Sequence, residues 1–463
     1  MCRINRIAYI LIIALGLCAS AALHGDALTL IDAAQNNDIE AAYSLIREGA
    51  DVTAVQADGA TALHWAAHWN EIELANRLLQ AGAEVNARNE LGVAPIALAC
   101  RNGSVAMASA LLAGGADPRS MEPSGETALM ACSRTGSAAA VMALLVGGAD
   151  PNALESSGEQ SALMWAAAGK HTATVAALIR AGAAVDIQSA NGFTPLMFAA
   201  RAGALEAAQV LVEAGASVNT ATAVGHSPLL IAAASIDAIT GSDYRLVVQE
   251  SKHEALGLFL LEHGANVAQA DQYGMTPLHY AVEMNKPALL KALLEQGADP
   301  NAEITQELPF RRGDYVGREA YKGASPFWLA ARLGNVAMMR DMLAAGADPE
   351  LRQAWGVTPL MVAAGVTQTD SRIVEETKLL DAVKMLAIEI GADIQAVDRG
   401  GQTAIHGAAN ISGDEIIKFL VARGADPMAQ DKQGNTPHDV ATRTQRPRPV
   451  TAALLKELAG SMR

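Results

Sequence analysis

The chain has 463 residues, a net charge of −15, only 4% aromatic residues and 40 glycines. That is too long for one ordinary globular core of about 100–200 residues. The acidic balance argues against nucleic acid and anionic lipid as partners, because both repel a negative surface.

Residues 1–22 read as a secretory signal peptide. Arg3 and Arg6 give a positive start, Ile7 to Leu17 is uninterrupted and apolar, and Ala19-Ser20-Ala21 and Ser20-Ala21-Ala22 offer small residues for cleavage. The apolar run is shorter than the ~20 residues a spanning helix needs, which favours cleavage over an uncleaved anchor. Cys18 raises a lipoprotein as a further alternative, although Leu17 before it is larger than lipid attachment normally accepts. Cleavage would take the charge to about −17 and remove Cys2 and Cys18. Cys100 and Cys132 remain, at non-equivalent positions of successive repeats, and are read as two small buried apolar side chains rather than a disulfide framework.

From residue 23 onward the sequence repeats. Gly-Ala recurs at Gly49, Gly82, Gly115, Gly148, Gly182, Gly215, Gly264, Gly297, Gly346, Gly391 and Gly424, with a basic step of 33 residues. A second motif keeps the same register: Thr61-Ala-Leu-His-Trp-Ala66, Thr127-Ala-Leu-Met-Ala-Cys132, Thr194-Pro-Leu-Met-Phe-Ala199, Thr276-Pro-Leu-His-Tyr-Ala281, Thr358-Pro-Leu-Met-Val-Ala363 and Thr403-Ala-Ile-His-Gly-Ala408. Looser copies start at Ala94, Ser161, Ser227, Ser325 and Thr436.

Each copy has a local logic. Thr or Ser is placed to cap a helix, and Pro fits the first helical turn, where its missing N–H costs nothing. Leu and the alanines face inward. A second helix follows, as in Glu71–Leu79, and the Gly of Gly-Ala ends it. Glycines such as Gly92, Gly125, Gly158 and Gly356 are placed to turn the tip of the loop that leads to the next repeat.

In these motifs the chain resembles the ankyrin-repeat family, whose signature is Thr-Pro-Leu-His-x-Ala at a 33-residue period. The resemblance spans about residues 27–463. It implies an all-α solenoid of about 12 helix–turn–helix units joined by hairpin loops, occupying residues 23–463. The first unit lacks the Thr-Pro start and a cap of about 434–463 closes the far end, since terminal repeats must present a polar face. The style of the repeats resembles exported bacterial members of the family.

Three insertions interrupt the period, at about 235–251, 303–322 and 366–378. The first and third fall between the two helices of repeats 7 and 10. They predict lengthened second helices, over Tyr244–His263 and Ile373–Ile390, the latter capped by Asp370 or Ser371. The middle one lies in the hairpin between repeats 8 and 9. It gathers Phe310, Arg311, Arg312 and Tyr315, residue types enriched at interfaces. Arg312-Gly313-Asp314 within it is the tripeptide that integrins read. Whether this loop binds a partner or only packs on its own repeats stays open.

By register with the family, hairpin tips and first-helix ends face the concave binding surface. The tip set includes Leu91, Phe193, Tyr273 and Trp355. The helix-end set includes His68, Trp69, Arg101, Arg134, Arg201, Glu283, Arg332 and Leu333. The partner-binding candidates are Trp69, Arg101, Arg134, Arg201, Tyr273, Phe310, Arg311, Arg312, Tyr315, Arg332 and Trp355, the arginines forming either a binding stripe or a solvated surface. His64, His279 and His406 stand at the motif histidine, which the resemblance makes a structural hydrogen-bonder. Met130, Met164, Met197 and Met361 replace it as core filling.

No catalytic signature is present. His253-Glu254 opens like a zinc-protease helix, but Gly257 stands where the second ligand is required. No Gly-x-Ser-x-Gly elbow, phosphate loop or paired cysteine spacing occurs, and no cofactor or metal is expected. The expected function is a non-catalytic, exported scaffold, periplasmic or secreted, that binds one or more proteins. The alternatives are a secreted effector that meets a host protein, or an enzyme with its site at the insertions.

Overall fold

The computed structural model describes residues 28–234, 250–308, 321–368, 374–443 and 447–461, excluding the side chains of residues 250–252 and 443. The expected signal peptide, most of the three insertions and their residues Phe310, Arg311, Arg312 and Tyr315 lie outside the described residues, as do Asp370 and Ser371.

The described helices fall into twelve antiparallel pairs, and no β-strand forms among the described residues. Two compact units emerge, Met1–Pro123 and Ser124–Arg463. The first contains repeats 1 to 3, with helices Leu30–Gln35 and Ile39–Arg47, Ala62–Trp69 and Ile72–Gln80, and Pro95–Arg101 and Val105–Ala113. The second contains repeats 4 to 12, from Ala128–Thr135 to the closing helix Pro449–Ser461. No helix among the described residues is long and apolar enough to cross a membrane.

Most second helices are nine residues long, too short to persist alone in water. They persist because each pair buries one side against the next. In repeat 2, Leu63, Ala66 and Ala67 of the first helix and Leu74, Ala75 and Leu78 of the second are fully buried. Each buried leucine contributes about 1.5–3 kcal/mol. Alanine at the other inward sites lets helices approach closely.

The motif threonines and serines cap as the sequence predicts. Thr61, Thr127, Thr194, Thr276 and Thr358, with Ser161, Ser227 and Ser325, each accept a hydrogen bond from the backbone N–H three residues on. The motif histidines add a second layer. In repeat 8, Thr276 N–H donates to His279 Nδ1 at 3.1 Å, which leaves Nε2 to donate to Ala324 O of the next repeat at 3.3 Å. His64 bonds Val93 O at 3.0 Å and His406 bonds Asn435 O at 3.2 Å in the same way. In repeat 9, Trp328 stands at this position and its indole N–H reaches Val357 O at 3.0 Å. Met130, Met164, Met197 and Met361 fill the site as wholly buried apolar side chains.

Two polar ladders link successive repeats. Hairpin tips donate backbone hydrogen bonds to one another, as in Glu90 N–H to Asp58 O at 2.7 Å, Thr305 to Tyr273 and Ala354 to Lys322 at 2.8 Å, and Lys432 to Gly400 at 2.9 Å. Pro123 occupies the donor position facing Leu91 and has no N–H to give. Beside the tips, asparagines clamp the following repeat by both ends of their amide. Asn301 donates to Gly346 O at 3.0 Å and accepts from Asp348 N–H at 2.7 Å. Asn86, Asn152 and Asn219 do the same to the Gly-Ala turns that follow them.

The first-helix ends are closed by side chains from neighbouring repeats. His171 donates to Arg134 O at 3.0 Å, His253 to Arg201 O at 3.2 Å, and Lys286 Nζ to Ala232 O and Ala233 O at 2.8 Å each. The His171 ring lies in a slot floored by Gly136, where an added Cβ would come within 2.3 Å of it.

The expected helix of repeat 7 is described over Glu250–Glu262, its earlier residues lying outside the described residues. Three local expectations change. In repeat 10 the helix spans Glu376–Lys384 and continues as a π-turn, Met385–Ile390. In repeat 5 the tip is one residue longer, so Glu159, not Gly158, takes the left-handed conformation at φ 52°. Finally, Cys100 and Cys132 are fully buried, as expected, but each is disulfide-bonded rather than a free apolar side chain. Non-equivalent positions within the repeat do not decide this, because oxidation depends on which sulfur atoms the fold brings together.

Burial holds the His279 imidazole down at about 4, against 6.5 for a free histidine. Between those values the unfolded chain takes up a proton that the folded chain refuses. Stability is therefore whole above pH 6.5 and falls as pH drops toward 4, by about 3 kcal/mol for this residue. The His279→Met variant should flatten the urea-midpoint slope between pH 4.5 and 7, at a cost of about 1–2 kcal/mol at neutral pH for the lost hydrogen bonds. An unchanged slope would refute the assignment. The Asn301→Ala variant should lower stability by about 1–2 kcal/mol and speed hydrogen exchange at the Asp348 amide, measured by mass spectrometry.

Candidate partner-binding surface

In the first unit, the first-helix ends and hairpin tips build a surface with exposed apolar side chains. Trp69, at the end of Ala62–Trp69, is 45% exposed. Its indole N–H donates to Gln35 O at 3.1 Å, and the His68 ring meets it edge-on at 4.7 Å. Trp65 joins the same cluster, 5.7 Å from His68. Its N–H donates to Gln56 Oε1 at 3.0 Å, and Gln56 in turn donates to Gln35 Oε1 at 2.6 Å. Two indoles are thus fixed by the hydrogen bonds they donate to Gln35 and Gln56, while Trp69 keeps nearly half its surface in water.

Three hairpin residues continue this apolar exposure. Val55 is 64% exposed, Leu91 68% and Met121 52%. Their loops are tied together. Arg88 donates to Gly92 O at 3.0 Å and Met121 O at 2.6 Å, and Asn89 Oδ1 accepts from Leu91 N–H and Val93 N–H. Arg101, at the end of Pro95–Arg101, forms an ion pair with Glu122 of the following hairpin. Of the candidates in this unit, Trp69 is therefore open for contact, and Arg101 is set against a carboxylate.

In the second unit the remaining candidates take different places. Arg134 pairs with Glu126 at 3.5 Å and lies over the Trp165 ring at 5.2 Å. Arg332 lies over the Tyr321 ring at 5.0 Å. Arg201 is exposed, and its backbone carbonyl accepts from His253. Tyr273 is half-buried and its carbonyl accepts from Thr305 and Gln306. Trp355 is 48% exposed on its hairpin tip, where its backbone N–H donates to the Gln353 side chain. Phe193 is half-buried, packed edge-on against Phe198 at 6.1 Å and near His226 at 6.3 Å. Glu283 and Leu333 are half-buried too.

Sequence reasoning missed Val55 and Met121, which share one position of the hairpin, six residues before the helix cap; that shared register was the available signal. It also missed a groove of about 400 Å³ beside the π-turn, lined by Val336, Met385 and Ile388 with the Arg340–Glu389 ion pair, whose two N···O distances are both 2.7 Å. The π-turn has no residue signature in this stretch. Among the described residues, no group of three or more His, Cys, Asp or Glu side chains is placed to hold a metal ion.

Ankyrin repeats generally mediate protein–protein interactions, and comparison with known proteins points to them consistently. The family described as "Ankyrin repeats (3 copies)" matches overlapping stretches that cover residues 30–240 and 245–304, and "Ankyrin repeat" matches residues 400–432. Ankyrin repeat protein L271 of Acanthamoeba polyphaga mimivirus is 36% identical over 88 residues, which are 19% of this chain and 11% of that protein. Neurogenic locus notch homolog protein 2 of Homo sapiens is 33% identical over 183 residues, 38% of this chain and 6% of that one. The matched region thus spans about a tenth or less of these relatives. The solved human ASB11 ankyrin repeat domain is 28% identical, covers 43% of this chain and 89% of that one, and superposes with a TM-score of 0.40. The chain belongs to the ankyrin-repeat family.

Proposed function

We propose that this protein is a non-catalytic scaffold, exported from the cytoplasm to the periplasm or beyond, that binds protein partners through the tips and first-helix ends of its repeats. The observation that carries the binding site is Trp69: a half-exposed indole, locked by Gln35 and His68, in the same unit that exposes Leu91 and Met121 on its hairpin tips. Monomeric proteins rarely leave such groups together in water without a use. A rigid aromatic anchor also loses little entropy on binding. Trp355 offers a second exposed aromatic side chain within the second unit.

Export is supported by the build of residues 1–22 and by the state of the two later cysteines. Disulfides persist in oxidising compartments and are rare where thiols are kept reduced. A cytosolic scaffold would have to hold Cys100 and Cys132 oxidised against that poise.

Two measurements test this. A photo-crosslinking residue placed at Leu91 or Met121 in cells should give discrete adducts by mass spectrometry, and Trp69→Ala should remove them. The absence of adducts from both sites would overturn the binding surface. Protein purified from its native compartment and denatured without reductant should show no maleimide labelling at Cys100 or Cys132, and labelling of both after reduction. Labelling before reduction would remove the chemical support for export.

A further inference from the structure

Resting on that reading of the Trp69 surface, we infer that its partner presents a cationic amphipathic segment, with a Lys or Arg side chain for the Trp69 ring and alkyl side chains for Leu91 and Met121. Charge supplies the first argument. Residues 28–123 contain twelve acidic side chains and five arginines, with no lysine. The cations near the surface are already engaged: Arg101 faces Glu122, and Arg88 is given to two backbone carbonyls. Asp58 and Glu90 stand exposed on the joined tips of repeats 2 and 3. An anionic segment would meet this surplus unscreened, and a purely apolar one would strip water from the tip carboxylates without replacing it.

The aromatic geometry supplies the second argument. An indole face attracts an ammonium or guanidinium within about 6 Å, more strongly when water is excluded. The same unit already shows this contact elsewhere, with Arg77 placed 4.3 Å from the centre of the Tyr43 ring. Trp69 is held for such a contact by the bond from its N–H to Gln35 O and by the edge of His68, and no cation–π partner of its own is found among the described residues. Leu91 and Met121 give the alkyl side chains somewhere to lie.

The test uses the full chain and three labelled amphipathic peptides of one length, built from leucine and alanine with lysine, glutamine or glutamate at the polar positions. By fluorescence anisotropy, the lysine peptide should bind at least tenfold more tightly than the other two. Its affinity should fall at least tenfold in Trp69→Ala and in Leu91→Ser, be retained in Trp69→Phe, and weaken as salt is raised. Circular dichroism confirms that each variant is folded. Equal binding of the glutamine peptide, or tighter binding of the glutamate peptide, would overturn the cationic assignment while leaving the surface as a docking site. Lysine-peptide binding unchanged by Trp69→Ala would also overturn it, as general attraction to an acidic protein. Failure of all three peptides, with adducts still formed at Leu91 in cells, would sink the partner class alone; failure of the adducts as well would sink the docking reading beneath it. Self-association that Trp69→Ala abolishes would assign the surface to a second copy of this chain instead.

Discussion

The helices of this protein are each too short to bury their own apolar side, so each repeat borrows its interior from the next. Leucine and alanine can occupy the inward sites only if the next pair arrives in register, and the polar groups between repeats fix that register. The hairpin backbones, the asparagine amides and the imidazoles all cross from one repeat to its successor, so the polar links run between the same neighbours that bury one another's apolar side. An interior assembled this way leaves the tips and first-helix ends available for contact.

The sites on that surface differ more than the repeats beneath them. Arginines at one register position are matched with a carboxylate in one repeat, stacked on an aromatic ring in another and left exposed in a third. Such pairs at a surface add little stability, but they fix where side chains lie. The apolar groups are distributed just as unevenly, with the first unit exposing Trp69 at a helix end and Val55, Leu91 and Met121 on successive hairpins. A protein with a regular frame and irregular decoration recognises partners by its decoration.

Much of the frame was legible in the sequence because its determinants are local. A threonine cap, a Pro at the first turn and a Gly in the left-handed region act within four residues, so reading Thr276, Pro277 and Gly297 suffices to place helix ends. What was not legible depended on neighbours far along the chain. Gly407 fills a motif position held in most other repeats by bulky residues because an added Cβ would fall 2.4 Å from Val366 N, in the turn that shortens the helix of repeat 10. The oxidised state of Cys100 and Cys132, the engagement of Arg101 by Glu122 and the partial burial of Phe193 are of the same kind. Register singled out Trp69 and Trp355 as surface candidates, but it singled out Tyr273 equally, and that side chain is half-buried.

The asparagine clamps join partners 29 or 30 residues apart at two junctions and 45 apart at two others, with hydrogen bonds of 3.0–3.1 Å throughout. The frame is therefore blind to contour length: the ladder closes alike across the shorter and the longer separations. Such a lineage can lengthen its loops freely, and new recognition elements can be acquired one loop at a time without renegotiating the architecture that carries them.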